Sequence, residues 1–347
     1  MPSSDHAQQA SPASERQAAD NTGIQEARRS AESDSRSPAL IVVSTSLSVA
    51  DYVERSRAPA TRRAHKSDWS GFLRWCTAEG RQPLPASPET VAEYLAAHGA
   101  SHKPATLRRW LATISVAHDA AGLPTPTKDV LVRSVLAGIR RTRGVAPNKK
   151  DPLIVSDLRR VLTALPTTTT GLRDRAVIGI GFAGSMRRSE VSGLDVTDVA
   201  FEAGGMTLTI RRSKTDQEAL GREIGVPFGH DPDTCPVRAL VTWLTAAEIT
   251  SGPIFRGVGR YGTVSRRRLC DRSVADIVKG AVTRVGLDSR RFAGHSLRSG
   301  FATSAARAGL EPAEIALQTG HRDLRVLDGY IHHARVLDHS PALAVRL

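Results

Sequence analysis

Apolar side chains in the first half of the chain recur at spacings of three and four residues, the period of an amphipathic helix. The clearest stripe comprises Trp69, Phe72, Leu73 and Cys76, and it stops before Gly80. Segments of the same kind are expected around 46–57, 88–99, 104–122 and 126–143. Together these segments predict an all-helical domain over residues 46–143.

Local signals mark where one of these helices begins. Ser87 is a good N-cap residue, Pro88 suits the first helical turn, and Glu89 complements the positive end of the helix dipole. Gly99 is a natural stop. The helix is therefore predicted to run from Pro88 to the residues just before Gly99.

Beyond residue 152 the pattern is mixed. Ser156 and Asp157 are expected to cap a helix that runs to Leu165, and an apolar segment follows at 175–186. Residues 206–213 and 222–228 alternate apolar and polar positions, which predicts an antiparallel hairpin whose turn begins near Lys214. Helical patterns resume at 235–248, 271–286, 296–308, 312–319 and 324–333.

Composition divides the chain further. Residues 1–45 are rich in small, polar and charged side chains, so we predict a disordered tail. Residues 144–151, GVAPNKKD, show no periodicity and are predicted to be an interdomain linker. The second domain is expected at 152–335, with a C-terminal tail at 336–347. The predicted fold class is mainly α with a small antiparallel β-sheet, the second domain being α+β.

Charge narrows the classes of partner. The chain has 48 Lys and Arg against 35 Asp and Glu, a net charge of +13. Residues 41–146 carry 15 basic and 8 acidic side chains, and residues 147–347 carry 29 and 21, so both predicted domains are basic. This balance favours a polyanionic partner, with nucleic acid first and an anionic membrane surface second.

The candidate contacts to such a partner are basic clusters on the predicted helices and on the hairpin. They are Arg62, Arg63, Lys66, Arg108, Arg109, Arg140, Arg141, Arg143, Arg211 and Arg212.

Other classes are disfavoured. No apolar run reaches the roughly 18 to 20 residues of a membrane span, and the N-terminus lacks the features of a signal peptide. Cys76, Cys235 and Cys270 lie far apart without paired spacing, which argues against a zinc ribbon or a disulfide framework and fits a reducing compartment. We expect no membrane partner, no metal site and a cytoplasmic location.

Five short motifs follow one another along the second domain. They are S-M-R-R-S-E at 185–190, R-R-S-K-T at 211–215, H-S-L-R at 295–298, T-G-H-R at 319–322 and D-G-Y-I at 328–331. Each motif alone is a weak signal; H-x-x-R, for instance, recurs at His332 and Arg335. In this order, the series resembles the tyrosine recombinase (phage integrase) family, and the resemblance covers residues 46 to 335.

The resemblance implies a set of catalytic residues and an assembly. The family's positions fall on Arg187, Glu190, Lys214, His295, Arg298, His321 and the nucleophile Tyr330. It also implies double-stranded DNA with inverted-repeat sites as substrate, a homotetramer, a Holliday junction intermediate and a bacterial host with a location at the nucleoid. The tail after Tyr330 is expected to dock on a neighbouring protomer, with docking on its own domain as the alternative.

The chain departs from the family pattern at a few positions. Ser185 and Met186 stand where relatives commonly have Gly and Leu, and Ser299 stands where many have a second histidine. Arg188 beside Arg187 leaves the first arginine ambiguous on charge alone, and the spacing to Glu190 favours Arg187.

Physical chemistry supports these roles independently. A phosphodiester under attack gathers negative charge on its non-bridging oxygens, and two arginine forks, Arg187 and Arg298, match that geometry. Tyrosine, with a reference pKa near 10, needs activation, which we expect from the cationic pocket with help from the histidines. Lys214 is a candidate general acid for the leaving oxygen, and Glu190 would orient the cations.

No Walker A loop and no two-metal carboxylate cluster is visible in the sequence, so we expect neither ATP nor a cofactor. The alternatives are a type IB topoisomerase-like nicking and closing enzyme and a catalytically silent sequence-specific DNA-binding protein. The target site, the direction of recombination and any accessory proteins are not predicted.

Overall fold

The computed structural model describes residues 56–145, 149–213, 216, 218, 220–321, 323–325 and 327–330. The predicted tails at 1–45 and 336–347 lie outside these residues, as do Lys214 and all but the end of the expected first helix at 46–57. The described residues form two compact units, one up to Lys149 and one from Lys150 onward.

In the residues that the structure describes, the first unit has four α-helices. They are α1 (Pro59–Ala78), α2 (Pro88–Gly99), α3 (Pro104–Ala120) and α4 (Val130–Arg143). The Ser87 side chain accepts a hydrogen bond from the Thr90 backbone N–H, so the predicted N-cap of α2 is present. Pro88 and Pro104 both occupy the first turn of their helices, where a missing backbone N–H costs nothing.

An aromatic cluster forms the core of the first unit. Phe72 and Tyr94 lie edge to face with their ring centroids 5.0 Å apart, and Tyr94 stacks on Trp110 at 5.1 Å. His118 is buried and fully bonded, because it accepts from the Ala86 backbone N–H at 2.9 Å and bonds the Ile114 carbonyl at 2.8 Å. This histidine therefore has a structural role.

The second unit is mixed, as predicted. Its helices are α5 (Val155–Thr163), α6 (Thr169–Ala183), α7 (Arg188–Gly193), α8 (Pro236–Ala246), α9 (Asp271–Arg284), α10 (His295–Arg307) and α11 (Pro312–Thr319), and residues 327–330 are helical. Its strands are β1 (Val199–Glu202), β2 (Gly205–Ile210), β3 (Arg222–Pro227), β4 (Arg256–Val258) and β5 (Val264–Arg268).

The predicted hairpin is present as β2 and β3, which pair antiparallel with Ile210 opposite Arg222 at the end of the ladder. Two features of the sheets were not predicted. Strand β1 adds to β2, and β4 pairs with β5 as a separate antiparallel hairpin.

The expected cap at Ser156 and Asp157 is wrong. Helix α5 begins at Val155 with Ile154 as the N-cap residue, and it ends at Thr163. Asp157 instead lies in the first turn, where its carboxylate interacts favourably with the positive end of the helix dipole. It also accepts a hydrogen bond from Arg160 at 3.0 Å.

Helix α6 is the centre of the second unit. Its apolar residues Val177, Ile178 and Ile180 are fully buried, so the helix shows almost no polar face. Trp243 of α8 is also buried, and its indole N–H donates to the Ile254 carbonyl at 2.9 Å. Residues 176–182 of α6 are all buried, so the turn that follows the helix starts from the core of the unit. Among the described residues, no helix is long and apolar enough to cross a membrane.

Two helical glycines make a matched test of this packing. A Cβ at Gly300 of α10 would lie 2.0 Å from the Leu153 carbonyl oxygen, whereas a Cβ at Gly280 of α9 would meet nothing within 4 Å. We expect Gly300→Ala to lower the free energy of unfolding by about 3 kcal/mol or more, because backbone cannot yield as a flexible side chain can. Gly280→Ala should raise it by up to about 1 kcal/mol. Chemical unfolding of both variants checks the contrast, and a neutral Gly300→Ala would contradict the close approach of α10 to Leu153.

Candidate active site

A tight turn at the end of α6 presents the first candidate arginine. Ser185 has a φ of 49°, in the left-handed region, and Met186 N–H bonds back to the Gly181 carbonyl at 2.9 Å. This is the hydrogen-bond pattern that commonly ends a helix with glycine at the left-handed position. The departure from the family pattern at Ser185 is thus a non-glycine residue in a conformation that favours glycine. Its hydroxyl is buried without a hydrogen-bond partner.

Arg187 and Glu190 form a closed pair at the start of α7. One oxygen of the Glu190 carboxylate accepts from Arg187 Nη1 at 2.6 Å, and the other accepts from the Arg187 backbone N–H at 2.9 Å. The Glu190 side chain is only 1% exposed. The predicted companion of the first arginine is therefore a buried carboxylate that fixes both its backbone and its guanidinium.

Arg188 differs from its neighbour. Its side chain is 45% exposed and its nearest carboxylate, Asp271, is 3.7 Å away. The two arginines thus differ in burial and in partner. Arg187 is the more buried of the two and is paired with Glu190, as the spacing to Glu190 predicts.

Arg298 lies on α10 with 1% of its surface exposed. Its Nη1 donates to the Ser185 carbonyl at 2.8 Å, and its Nη2 lies 3.0 Å from His321 Nε2. Burial and the nearby charge of Arg187 lower its pKa to about 10. The group therefore stays cationic at neutral pH although it is removed from water.

His321 follows α11 and the left-handed Gly320, which has a φ of 64°. Since Arg298 has only donors, His321 Nε2 must accept, and its Nδ1 carries the proton that bonds Thr319 Oγ1 at 2.7 Å. Burial and then the charge of Arg298 lower the His321 pKa to about 4. This histidine is neutral at physiological pH.

His295 begins α10, and its Nε2 lies 2.9 Å from the Tyr330 hydroxyl oxygen. Burial, followed by the charges of Arg298 and Arg187, lowers the His295 pKa. The neutral imidazole can accept the phenolic proton through Nε2.

Two opposing effects act on the pKa of the Tyr330 phenol. Burial raises the Tyr330 pKa, and the opposing effect of Arg298 is the smaller of the two. At neutral pH Tyr330 is therefore a protonated phenol, and its oxygen lies 2.9 Å from His295 Nε2. The expected activation of Tyr330 by the cationic pocket, with help from the histidines, stays a prediction, and Arg298 acts in that direction against the larger effect of burial.

Arg222 also enters the site, and sequence reasoning missed it. It opens β3, donates to the Gln318 carbonyl at 3.0 Å, and places Nη2 3.4 Å from Glu190. Its place in an alternating strand gave no sign of burial, and the only signal was its position directly after the hairpin turn.

Lys214 falls outside the described residues. The strands that lead to and from its loop are described, and Arg211 anchors the leading strand. Arg211 bonds both oxygens of Asp198, at 2.6 and 2.7 Å, and one oxygen of Asp195 at 2.9 Å.

The candidate DNA contacts fall into two groups. Arg109 forms a two-pronged pair with the buried Asp68 at 2.7 and 2.9 Å, and Arg143 donates to the Ala100 carbonyl, so these two and Arg211 already have protein partners. Arg62 is half-buried, and the remaining candidates are exposed, namely Arg63, Lys66, Arg108, Arg140, Arg141 and Arg212. Within the described residues, no group of three His, Cys, Asp or Glu side chains could hold a metal ion.

Comparison with known proteins places this geometry in a family. The model of the Phage integrase family matches residues 153–336. The "Integrase/recombinase xerD homolog" of Selenomonas ruminantium is 39% identical over 82% of this chain and 84% of that protein. "Recombinase cre" of Escherichia phage P1 is 26% identical over 79% and 83%. The segment GHSLRSGFATSAARAGL and the helical first domain suggested Cre as the most similar member of the family. Over the chain as a whole, however, the XerD homologue has the higher identity.

Solved structures share the fold. The XerH site-specific recombinase bound to palindromic difH substrate superposes with a TM-score of 0.56 at 18% identity, over 74% of this chain and 71% of that one. The Tn1549 transposon integrase in complex with transposon right end DNA gives 0.58 at 15% identity, over 86% and 96%.

The lowered histidine pKa is measurable without DNA. We expect His321 to titrate with a midpoint about 4 in the free protein, because it is buried beside Arg298. The unfolded chain takes up this proton near pH 6.5, so the free energy of unfolding should fall as pH decreases from 6.5 towards 4. NMR titration of the imidazole signals, assigned with His321→Gln, checks the midpoint. A His321 midpoint near 6.5 would contradict the buried contact with Arg298.

Proposed function

The chain belongs to the phage integrase family and is a tyrosine recombinase, and we propose that Tyr330 is its nucleophile. The observation that supports this assignment is the contact between Tyr330 Oη and His295 Nε2, 2.9 Å, beside the buried pair of Arg298 and His321. A phenol, a neutral base and a buried cation in contact are the parts that a metal-free attack on phosphate requires.

The two arginines are proposed to hold the scissile phosphate. Arg298 is pre-positioned by the Ser185 carbonyl and His321, and Arg187 by Glu190. Because both guanidinium groups are fixed before substrate arrives, they can stabilise charge on the non-bridging oxygens without reorganising during the reaction. Sites of this kind need donors aimed at the phosphate, and both groups carry several.

The proton of the nucleophile is proposed to pass to His295. Tyr330 Oη forms a bond to phosphorus as its proton moves to Nε2, and the bond between phosphorus and the 5′-oxygen breaks. The departing oxygen takes a proton from Lys214, the proposed general acid. The product is a 3′-phosphotyrosyl protein and a free 5′-hydroxyl, and the reverse steps rejoin a strand without ATP, because the phosphodiester bond is conserved in the adduct.

The substrate and assembly are proposed on the family relationship. The XerH and Tn1549 structures are complexes with DNA, and both predicted domains here are basic. We propose double-stranded DNA with inverted-repeat sites, bound by the helical unit and the catalytic unit together, with the exposed basic residues named above as contacts. A homotetramer would exchange two pairs of strands through a Holliday junction. Nucleoid DNA in the cytoplasm is the proposed setting.

The segment after Tyr330 is proposed to take part in assembly. Residues 342–347, ALAVRL, are more apolar than a solvated tail. Docking on a neighbouring protomer and docking on the same catalytic unit remain the two proposals for this segment.

Removing the phenolic oxygen tests the assignment of the nucleophile. We expect Tyr330→Phe to bind site DNA with unchanged affinity and to form no covalent adduct, because the ring remains while the attacking oxygen is lost. Denaturing gels of protein on a nicked suicide substrate measure the adduct. Tyr261, which is 89% exposed, supplies the matched control, and Tyr261→Phe should form the adduct at the wild-type rate. A normal adduct yield with Tyr330→Phe would place the nucleophile elsewhere.

Neighbouring arginines test the phosphate clamp. Arg187→Ala and Arg298→Ala should each slow cleavage by about 10²-fold or more, the scale for losing one pre-organised donor to developing negative charge. Arg188→Ala should cost far less, because its side chain is half exposed and has no close partner in the site. Single-turnover cleavage rates separate them, and a larger loss with Arg188→Ala would show that the register of S-M-R-R-S-E is off by one residue.

A further inference from the structure

We propose that Arg222 is a positioning residue that holds both Glu190 and the segment carrying His321 in their catalytic arrangement. This inference rests on the proposed function, since it assigns work to Arg222 through residues of that site. None of the sequence motifs includes Arg222.

The first contact of Arg222 is with the carboxylate that orients Arg187. Glu190 uses one oxygen for Arg187 Nη1, and its other oxygen faces the Arg187 backbone N–H at 2.9 Å and Arg222 Nη2 at 3.4 Å. A carboxylate that is 1% exposed needs compensation on both oxygens. Arg222 supplies the second cation, so among the described residues its loss would leave Arg187 as the remaining cation on the Glu190 carboxylate.

The second contact is with the end of α11. Arg222 Nη1 donates to the Gln318 carbonyl at 3.0 Å, near the C-terminus of the helix, where carbonyls lack partners within the helix and a positive charge is favoured. The Gln318 side chain crosses back to the Ala183 carbonyl at 2.8 Å and the Gly225 carbonyl at 3.1 Å. The end of α11 is thereby tied to β3 and to the end of α6.

Close packing adds to these bonds. A Cβ at Gly320 would lie 2.9 Å from Arg222 Nε, so the guanidinium rests directly on the left-handed turn that leads from α11 to His321. Thr319, in the same turn, bonds His321 Nδ1. Arg222 thus supports the turn from which His321 reaches Arg298.

The position of Arg222 in the sheet gives it leverage. It is the first residue of β3 and pairs with Ile210, the last residue of β2, so it lies where the ladder between these strands ends. Arg222 therefore connects three parts of the site. They are the carboxylate of Glu190, the turn before His321 and the end of the β2–β3 ladder. A lysine could reach one of its partners but could not bridge both, because an ammonium lacks the planar fork.

Single-turnover adduct formation on a nicked site tests the proposal. We expect Arg222→Gln to bind half-site DNA normally but to form adduct about 10-fold or more slowly, the scale of a small misplacement of catalytic groups. Arg222→Lys should recover part of this loss. Glu223, exposed on the opposite face of the same strand, provides the control, and Glu223→Gln should react at the wild-type rate.

Coupling to Glu190 distinguishes positioning from a separate role. In a Glu190→Gln background, Arg222→Gln should cost less than it does in the wild-type protein, because the part of its effect that passes through Glu190 is already lost. Losses that multiply in full would overturn the role of Arg222 in holding Glu190. A methylphosphonate at the scissile position, which lacks the phosphate charge, should not rescue Arg222→Gln. Selective rescue would instead make Arg222 a direct phosphate contact.

A readout without DNA separates this proposal from the proposed function. Arg222→Gln should raise the His321 midpoint above about 4, since a cation leaves the segment and the turn loosens, whereas Glu223→Gln should not. An unchanged midpoint would overturn the role of Arg222 in holding His321. Absence of adduct in the wild-type protein would overturn the proposed function while this measurement still decides the role of Arg222. Should Arg222→Gln unfold, Arg222→Lys replaces it in the adduct assay and in the titration. Because lysine keeps the positive charge, a raised His321 midpoint would then report the loosened turn.

Discussion

The catalytic unit depends on keeping the guanidinium of Arg298 charged while it is almost wholly removed from water. Burial of an arginine is costly unless its donors find acceptors. The Ser185 carbonyl and the unprotonated Nε2 of His321 accept from it. These contacts explain two local oddities: the left-handed Ser185 in the turn that supplies the carbonyl, and the strongly lowered pKa of His321.

The same constraint organises the neighbouring charges. Burial and then the charge of Arg187 lower the pKa of both Arg222 and Arg298, and Glu190 offsets part of this effect. The histidines contribute by remaining neutral, because a protonated His295 or His321 would add a further cation beside Arg298. The pocket therefore carries an excess of fixed positive charge. An anionic phosphodiester would offset this excess, so the pocket is electrostatically complementary to the DNA backbone.

Much of this arrangement could be predicted from the sequence, and the exceptions have physical causes. Helix α2 was predictable because Ser87 and Pro88 act locally, and the β2–β3 hairpin because alternation reports a half-buried sheet. The cap at Ser156 was wrong because the N-cap lies two residues earlier, at Ile154, and the Val155 N–H donates to the distant Ser304 Oγ at 3.1 Å. Strand β5, VSRRR, was missed because its basic residues gave no apolar alternation.

The site shows the same division. The motif residues were found because their types and order carry the chemistry, whereas Arg222 was missed because its importance lies only in distant contacts with Glu190 and Gln318. Burial was equally invisible from the sequence. For this reason the sequence indicated only the activating effect of the cations and histidines, whereas burial raises the Tyr330 pKa.

This raised pKa has a consequence for when the nucleophile becomes reactive. A phosphate held by Arg187 and Arg298 would bring negative charge next to Tyr330, which disfavours the phenolate further, and next to His295, which favours the imidazolium. Substrate binding thus raises the proton affinity of both partners in the 2.9 Å contact. The higher proton affinity of His295 favours proton transfer. The phenolic oxygen does not have to carry the negative charge, because it forms the new bond to phosphorus as the proton leaves. In the proposed reaction, proton transfer to His295 is therefore coupled to attack on phosphorus, and Tyr330 stays a protonated phenol until a phosphate is bound.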